Sequence, residues 1–152
     1  MSLTLRETDI MSQQGQPNSI AVEIPSDPAE ARRVQEEIER QLQATLFNER
    51  EIFSIKLALE EALVNAIKHG NQFDRSKKVR IAYTVERERF DISISDEGRG
   101  FDPADVPDPT AIENLERPCG RGLMLMRYYM TEVNFGSNGN SVNMTKLRNG
   151  TK

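Results

Sequence analysis

Three short stretches of this chain carry polar side chains at spacings that suit chemistry. In EEALVNAIKHGN (60–71), Glu61 and Asn65 stand four residues apart, so on a helix they share one edge. A carboxylate placed there can accept a proton. The amide oxygen can ligate Mg²⁺, a hard cation that takes oxygen ligands and keeps several waters. In SISDEGRG (93–100), an alternating run ends on Asp96, which shares a face with Phe90, Ile92 and Ile94. Asp96 can cap a turn, or it can accept a hydrogen bond from a ligand donor such as an adenine amino group. Gly98 and Gly100 would then let the backbone approach that ligand. In CGRGLMLM (119–126), Gly120 and Gly122 precede or begin a helix, whose free N–H groups and dipole favour phosphate.

Each stretch alone also has a plain structural reading: a solvated helix edge, a capped turn, a glycine turn. Leu123, Leu125 and the methionines beside them read as core. Glu60 competes with Glu61 as a base, but only Glu61 lies four residues before Asn65. Lys68 and His69 follow Asn65 by about one turn and can touch phosphates or ribose. For His69, the only histidine, a structural role at the helix end is the preferred reading. Cys119 has no base beside it in sequence and reads as non-catalytic. Taken in order, the stretches supply a proton acceptor, a metal ligand, an adenine acceptor and a phosphate cradle. The GxxxxGK[ST] pattern of a P-loop is missing, so an ATP site here must be of another type.

The elements that must position these residues follow from periodicity. SIAVEI (19–24) alternates as a first strand. A helix follows, capped by Ser26 or Asp27, with Pro28 in its first turn and an apolar stripe of Ala31, Val34, Ile38, Leu42 and Leu46. A second helix runs from about Glu49 to His69 and ends near Gly70 and Asn71. It is apolar around most of its circumference, which predicts deeper burial than the first. Residues 77–88 and 89–95 alternate as a hairpin. Residues 97–119 form a long Pro- and Asp-rich connection, a length that usually marks a functional or mobile segment. GRGLMLMRYYMTEV opens a third helix, and TEVNFGS with SVNMTKL closes the chain as a hairpin around Asn138 and Gly139. The order predicts an α+β two-layer sandwich, with a mixed or antiparallel sheet and helices on one face. Residues 1–18 read as a loose tail, and 19–152 as one domain.

The bulk properties narrow the function classes. The chain has 152 residues and a net charge of −4, which argues against nucleic-acid binding through a broad basic surface. One cysteine and one histidine exclude an internal disulfide and make a structural zinc site untenable. No stretch approaches the length of a membrane span, and a reducing cytoplasm is the expected location.

With all three stretches in order, residues 20–148 resemble the GHKL superfamily of ATP-binding domains, the Bergerat fold shared by histidine kinases and DNA gyrase. EEALVNAIKHGN resembles the N box of that superfamily, DEGRGFDP its G1 box and GRGLMLM its G2 box. The same stretches most resemble the anti-sigma factor serine kinases. The resemblance implies that ATP binds with Mg²⁺, and that Asn65 holds the metal against the phosphates. Asp96 would receive the adenine amino group, and Gly98 and Gly100 would admit the adenosine. Residues 101–119 would form a lid, and Gly120, Arg121, Gly122 and Leu123 would border the phosphates. His69 joins the nucleotide-binding candidates, and Glu61 would be the general base. The implied activity is phosphorylation of a hydroxyl on a small anti-anti-sigma factor, within a switch that controls a sigma factor, often with the kinase as a homodimer. The same site would also serve an ATP-binding regulator without transferase activity, or a stand-alone catalytic domain that phosphorylates a histidine on another protein.

Overall fold

A computed structural model of the chain describes residues 19–98, 118–136 and 139–149, with the backbone alone over 118–123. The expected tail (1–18), Gly100, most of the lid and Asn138 lie outside the described residues. Five strands form one sheet: β1 (Ile20–Pro25), β2 (Lys78–Val85), β3 (Arg89–Ser95), β4 (Glu132–Phe135) and β5 (Ser141–Leu147). Their spatial order is β1-β2-β3-β5-β4. All four neighbouring pairs are antiparallel, the antiparallel limit of the sheet that the sequence left open.

Register explains the layering. Ile81 faces Ile94, which faces Val142; Tyr83 faces Ile92, which faces Met144, which faces Val133. These rows are buried, and each fully buried side chain of this size contributes about 1.5–3 kcal/mol. The alternate rows are polar or small, as in Arg80–Ser95–Ser141 and Ala82–Ser93–Asn143. Only one face of the sheet therefore has apolar surface for helices to cover. Gly139 takes a positive φ of 75°, the backbone that the turn between β4 and β5 needs.

The helices are α1 (Pro28–Leu42), α2 (Glu49–Val64) and α3 (Pro118–Tyr129). Asp27 caps α1, accepting from the Ala29 N–H at 2.9 Å. Asn48 and Glu51 close a reciprocal capping box at the start of α2. As expected, α2 is buried more heavily than α1, and it packs against both other helices.

Two expectations need correction. Helix α1 stops at Leu42, so Leu46 is not on its stripe and is 44 % exposed. The Thr45 hydroxyl donates to the Leu42 carbonyl, and the Leu46 N–H donates to the Arg87 carbonyl at 2.9 Å. These side-chain and tertiary bonds replace the helical ones. The second helix is also not α-helical to its end, because Asn65–Gly70 form a π-helical turn.

Candidate functional site

The site begins where α2 changes helix type. Ile55, Ala58, Leu59, Ala62, Leu63, Ala66 and Ile67 are buried, which leaves Glu61 and Asn65 together on the half-buried edge of that face. Glu60 is exposed. Burial, and secondarily the Glu60 charge, pushes the Glu61 carboxyl above the ordinary glutamate range. The Asn65 N–H is shared between the carbonyls of Ala62 and Glu61, and the turn then widens. The Asn71 N–H reaches back five residues to the Ala66 carbonyl, and the Phe73 N–H reaches the Ile67 carbonyl, both at 2.8 Å. Gln72 and Phe73 then take left-handed φ values of 52° and 60°, which non-glycine residues rarely adopt. Such π turns occur frequently at functional sites. His69, half-buried within the turn, is held below its usual pKa by burial and by Lys68. It is therefore neutral at pH 7, able to donate from one nitrogen and accept at the other.

Strand β3 delivers Asp96 to the end of the same turn. Phe90, Ile92 and Ile94 are buried as alternation requires. The Asp96 N–H extends the pairing to the Asn140 carbonyl at 2.9 Å. Its Oδ1 accepts from the Gly98 N–H at 2.8 Å, and among the described residues no hydrogen bond reaches Oδ2. Burial pushes the Asp96 carboxyl up, partly offset by the Gly98 N–H and then Lys77. A Cβ built on Gly70 would overlap the Asp96 carboxyl group, and one built on Gly98 would overlap the Gly70 carbonyl. The expected reason for Gly98 was close approach to a ligand. The structure adds another, since a Cβ there would meet the end of the π turn.

Sequence reasoning missed three residues here. Gly70 supplies the flat surface on which Asp96 rests. Asn71 is completely buried and bonds to Ser26, Lys78 and Glu97. Ser26, one of two cap candidates, turns inward instead and is 2 % exposed. The available signal was a polar Asn directly after Gly at the end of an apolar helix, which needs internal partners if it is buried.

Helix α3 starts at Pro118, so Cys119, assigned to the lid, lies in its first turn with Gly120 and Arg121, followed by Gly122 and Leu123. It packs against α2 and the π turn. The fold thus sets Asp96 against the π turn that ends the second helix, and packs the helix of the third stretch on α2 and on that turn. A separate groove of about 280 Å³ between α1 and α2 is lined by Glu60, Val64, Lys68 and Phe73, among others, but not by Glu61, Asn65 or Asp96. Among the described residues no three His, Cys, Asp or Glu side chains gather to hold a metal ion, and no helix is long and apolar enough to cross a membrane.

Comparison with known proteins identifies the family and the fold. The family model described as the histidine kinase-like ATPase domain matches residues 24–146. The chain is 33 % identical over 109 residues to the serine-protein kinase RsbW of Bacillus subtilis, covering 67 % of this chain and 68 % of that one. It is 36 % identical over 100 residues to the anti-sigma F factor of Anoxybacillus flavithermus, covering 64 % and 68 %. The crystal structure of the RsbU and RsbW domains of a Mycobacterium tuberculosis protein superposes with a TM-score of 0.57 at 17 % identity. It covers 86 % of this chain and 32 % of that one, and so shares the fold.

Proposed function

The chain belongs to the histidine kinase-like ATPase family, within it to the anti-sigma factor serine kinases, and from that premise we propose how its residues carry out ATP-dependent phosphorylation of a protein hydroxyl. The acceptor is a serine or threonine of a small anti-anti-sigma partner, and the unphosphorylated partner holds the kinase away from a sigma factor. The location is the cytoplasm.

One observation carries the reading of the site. Asp96 is a half-buried carboxylate with one oxygen held by the Gly98 N–H and no donor from the described residues on the other. That second oxygen keeps its accepting capacity for a ligand N–H, and the amino group of adenine is such a donor. Asp96 lies beside the turn that continues the helix of Glu61 and Asn65, so a nucleotide anchored there by its base extends its phosphates toward them.

The donor set fits Mg²⁺ as well. A single amide oxygen, with phosphates and waters, suits a cation that rarely has an all-protein cage. Asn65 would hold the metal, which when bound would neutralise charge on the phosphates. Glu61 holds the acceptor hydroxyl by a hydrogen bond and takes its proton, a role that a partly desolvated carboxylate of raised basicity favours. Phosphoryl transfer otherwise depends on positioning and electrostatics.

The experiment is incubation of the purified protein with γ-labelled ATP, Mg²⁺ and a candidate anti-anti-sigma protein. Acid-stable phosphoserine or phosphothreonine on the partner is the expected product. Acid-labile label would indicate a histidine acceptor, and nucleotide binding without any label would indicate a regulator lacking transfer.

A further inference from the structure

We propose that Asn71 is the positioning residue for the adenine acceptor: its side-chain amide fixes the Asp96–Gly98 turn against Gly70 and so aims the Asp96 carboxylate at the base. The inference rests on the reading of Asp96 as that acceptor.

Asn71 has no exposed surface, yet its amide is well satisfied. Nδ2 donates to the Ser26 hydroxyl at 2.8 Å and to the Lys78 carbonyl at 3.0 Å. Oδ1 accepts from the Glu97 N–H at 2.8 Å. The Ser26 hydroxyl donates onward to the Lys77 carbonyl at 2.7 Å, and the Glu97 carboxylate accepts from the Lys78 N–H at 3.0 Å. Glu97 is thus held at both ends, its backbone by Asn71 and its side chain by β2. Three other segments meet on one neutral amide, which must donate twice and accept once. An aspartate would lose both donors, and a leucine would leave the Glu97 N–H without its acceptor.

The position is specific to the site because Glu97 lies between the two residues that matter. Asp96 precedes it, and Gly98 follows it, donating to Asp96 Oδ1 and resting on the Gly70 carbonyl. Moving the Glu97 N–H moves both neighbours. The chain also adopts an uncommon conformation around this amide. A π turn leads to Asn71, and two successive left-handed residues leave it, backbone that L side chains take only at a cost.

The test compares dissociation constants for MgATP and Mg-purine riboside triphosphate, which lacks the 6-amino group, by calorimetry on folded protein at low temperature. Wild type prefers ATP. Asn71→Ala is expected to bind ATP about tenfold more weakly, the scale of one charge-assisted hydrogen bond, while its affinity for the analogue changes less than about twofold. An unchanged preference in folded Asn71→Ala overturns the proposal. An equal loss for both nucleotides also overturns it, since that marks a general scaffold defect. If Asn71→Ala does not fold, Ser26→Ala decides. It removes one Asn71 partner and leaves the bonds to Lys78 and Glu97, so narrowing of the preference by about threefold supports the proposal and no change overturns it. Asp96→Asn separates the two readings. If it retains the full preference, the adenine reading itself fails. If it abolishes the preference while the Asn71 and Ser26 variants keep it, only the role of Asn71 fails.

Discussion

The bare Cα of Gly70 faces the carboxyl group of Asp96, and a methyl group placed on it would overlap that carboxyl. The last residue of the π turn and the acid that directly follows β3 are therefore fitted to each other, which links the helix of Glu61 and Asn65 to the adenine candidate. Gly70→Ala is expected to displace Asp96, lower stability by about 1–3 kcal/mol as overpacking does, and weaken ATP binding. Urea unfolding and calorimetry read the two effects. Wild-type stability together with wild-type affinity would show that the contact relaxes freely.

Asp96 itself should trade stability for binding. Burial raises its pKa in the folded state, so above that raised value the folded protein bears a carboxylate that it would hold more easily as the neutral acid. An Asn can keep the Gly98 N–H bond without the charge. Asp96→Asn is thus expected to raise the melting temperature of the nucleotide-free protein at pH 7. The gain should shrink as pH falls through the folded pKa, and vanish below the unfolded value of about 3.9. ATP affinity should fall about tenfold or more. Thermal melts across pH, with and without ATP, check both parts, and a variant less stable than wild type at pH 7 would contradict the account.

How far the sequence reached depends on what each signal reports. Alternation placed Phe90, Ile92, Ile94 and Asp96 on one face because a strand has a fixed period of two. Helical periodicity likewise placed Glu61 beside Asn65. It could not find the end of α1, where Leu46 continues the pattern while its N–H is claimed by Arg87, a residue 41 positions away. The π turn was equally hidden. Its hydrogen bonds reach five residues back, and the partners that meet Asn71 at its end, Ser26, Lys78 and Glu97, come together only in the folded chain. Gly70 and Gly98 were legible as glycines but not as a pair, since their contact exists only once β3 lies against the turn.

Asn65 allows a metal-specific prediction. Its amide stands on the half-buried edge of the site, and no cluster of acidic, His or Cys side chains among the described residues offers a rival metal site. Adding Mg²⁺ should tighten ATP binding in the wild type. In Asn65→Ala that increment should fall to within about twofold, while metal-free ATP affinity is retained, because only a metal-borne interaction has been removed. Titrations of ATP with magnesium and with chelator measure the difference. An undiminished increment would move the metal to other ligands.

Glu61 provides the prediction closest to the chemistry. The carboxylate is raised by burial first and by Glu60 second, and a general base must be ionised to act. The transfer rate should therefore decline on acidification as pH drops through that raised pKa, above the ordinary glutamate value of about 4.3. Glu61→Gln preserves shape and one acceptor oxygen but cannot take the proton at these pH values. It is expected to bind MgATP as wild type does, and to transfer phosphate about 10²–10⁴-fold more slowly, with the acidic limb gone from its pH profile. Single-turnover transfer to the partner at several pH values, beside calorimetric ATP binding, isolates this step. A Glu61→Gln protein that transfers at the wild-type rate would leave Glu61 as a helix-edge residue, and would assign activation of the hydroxyl to another group.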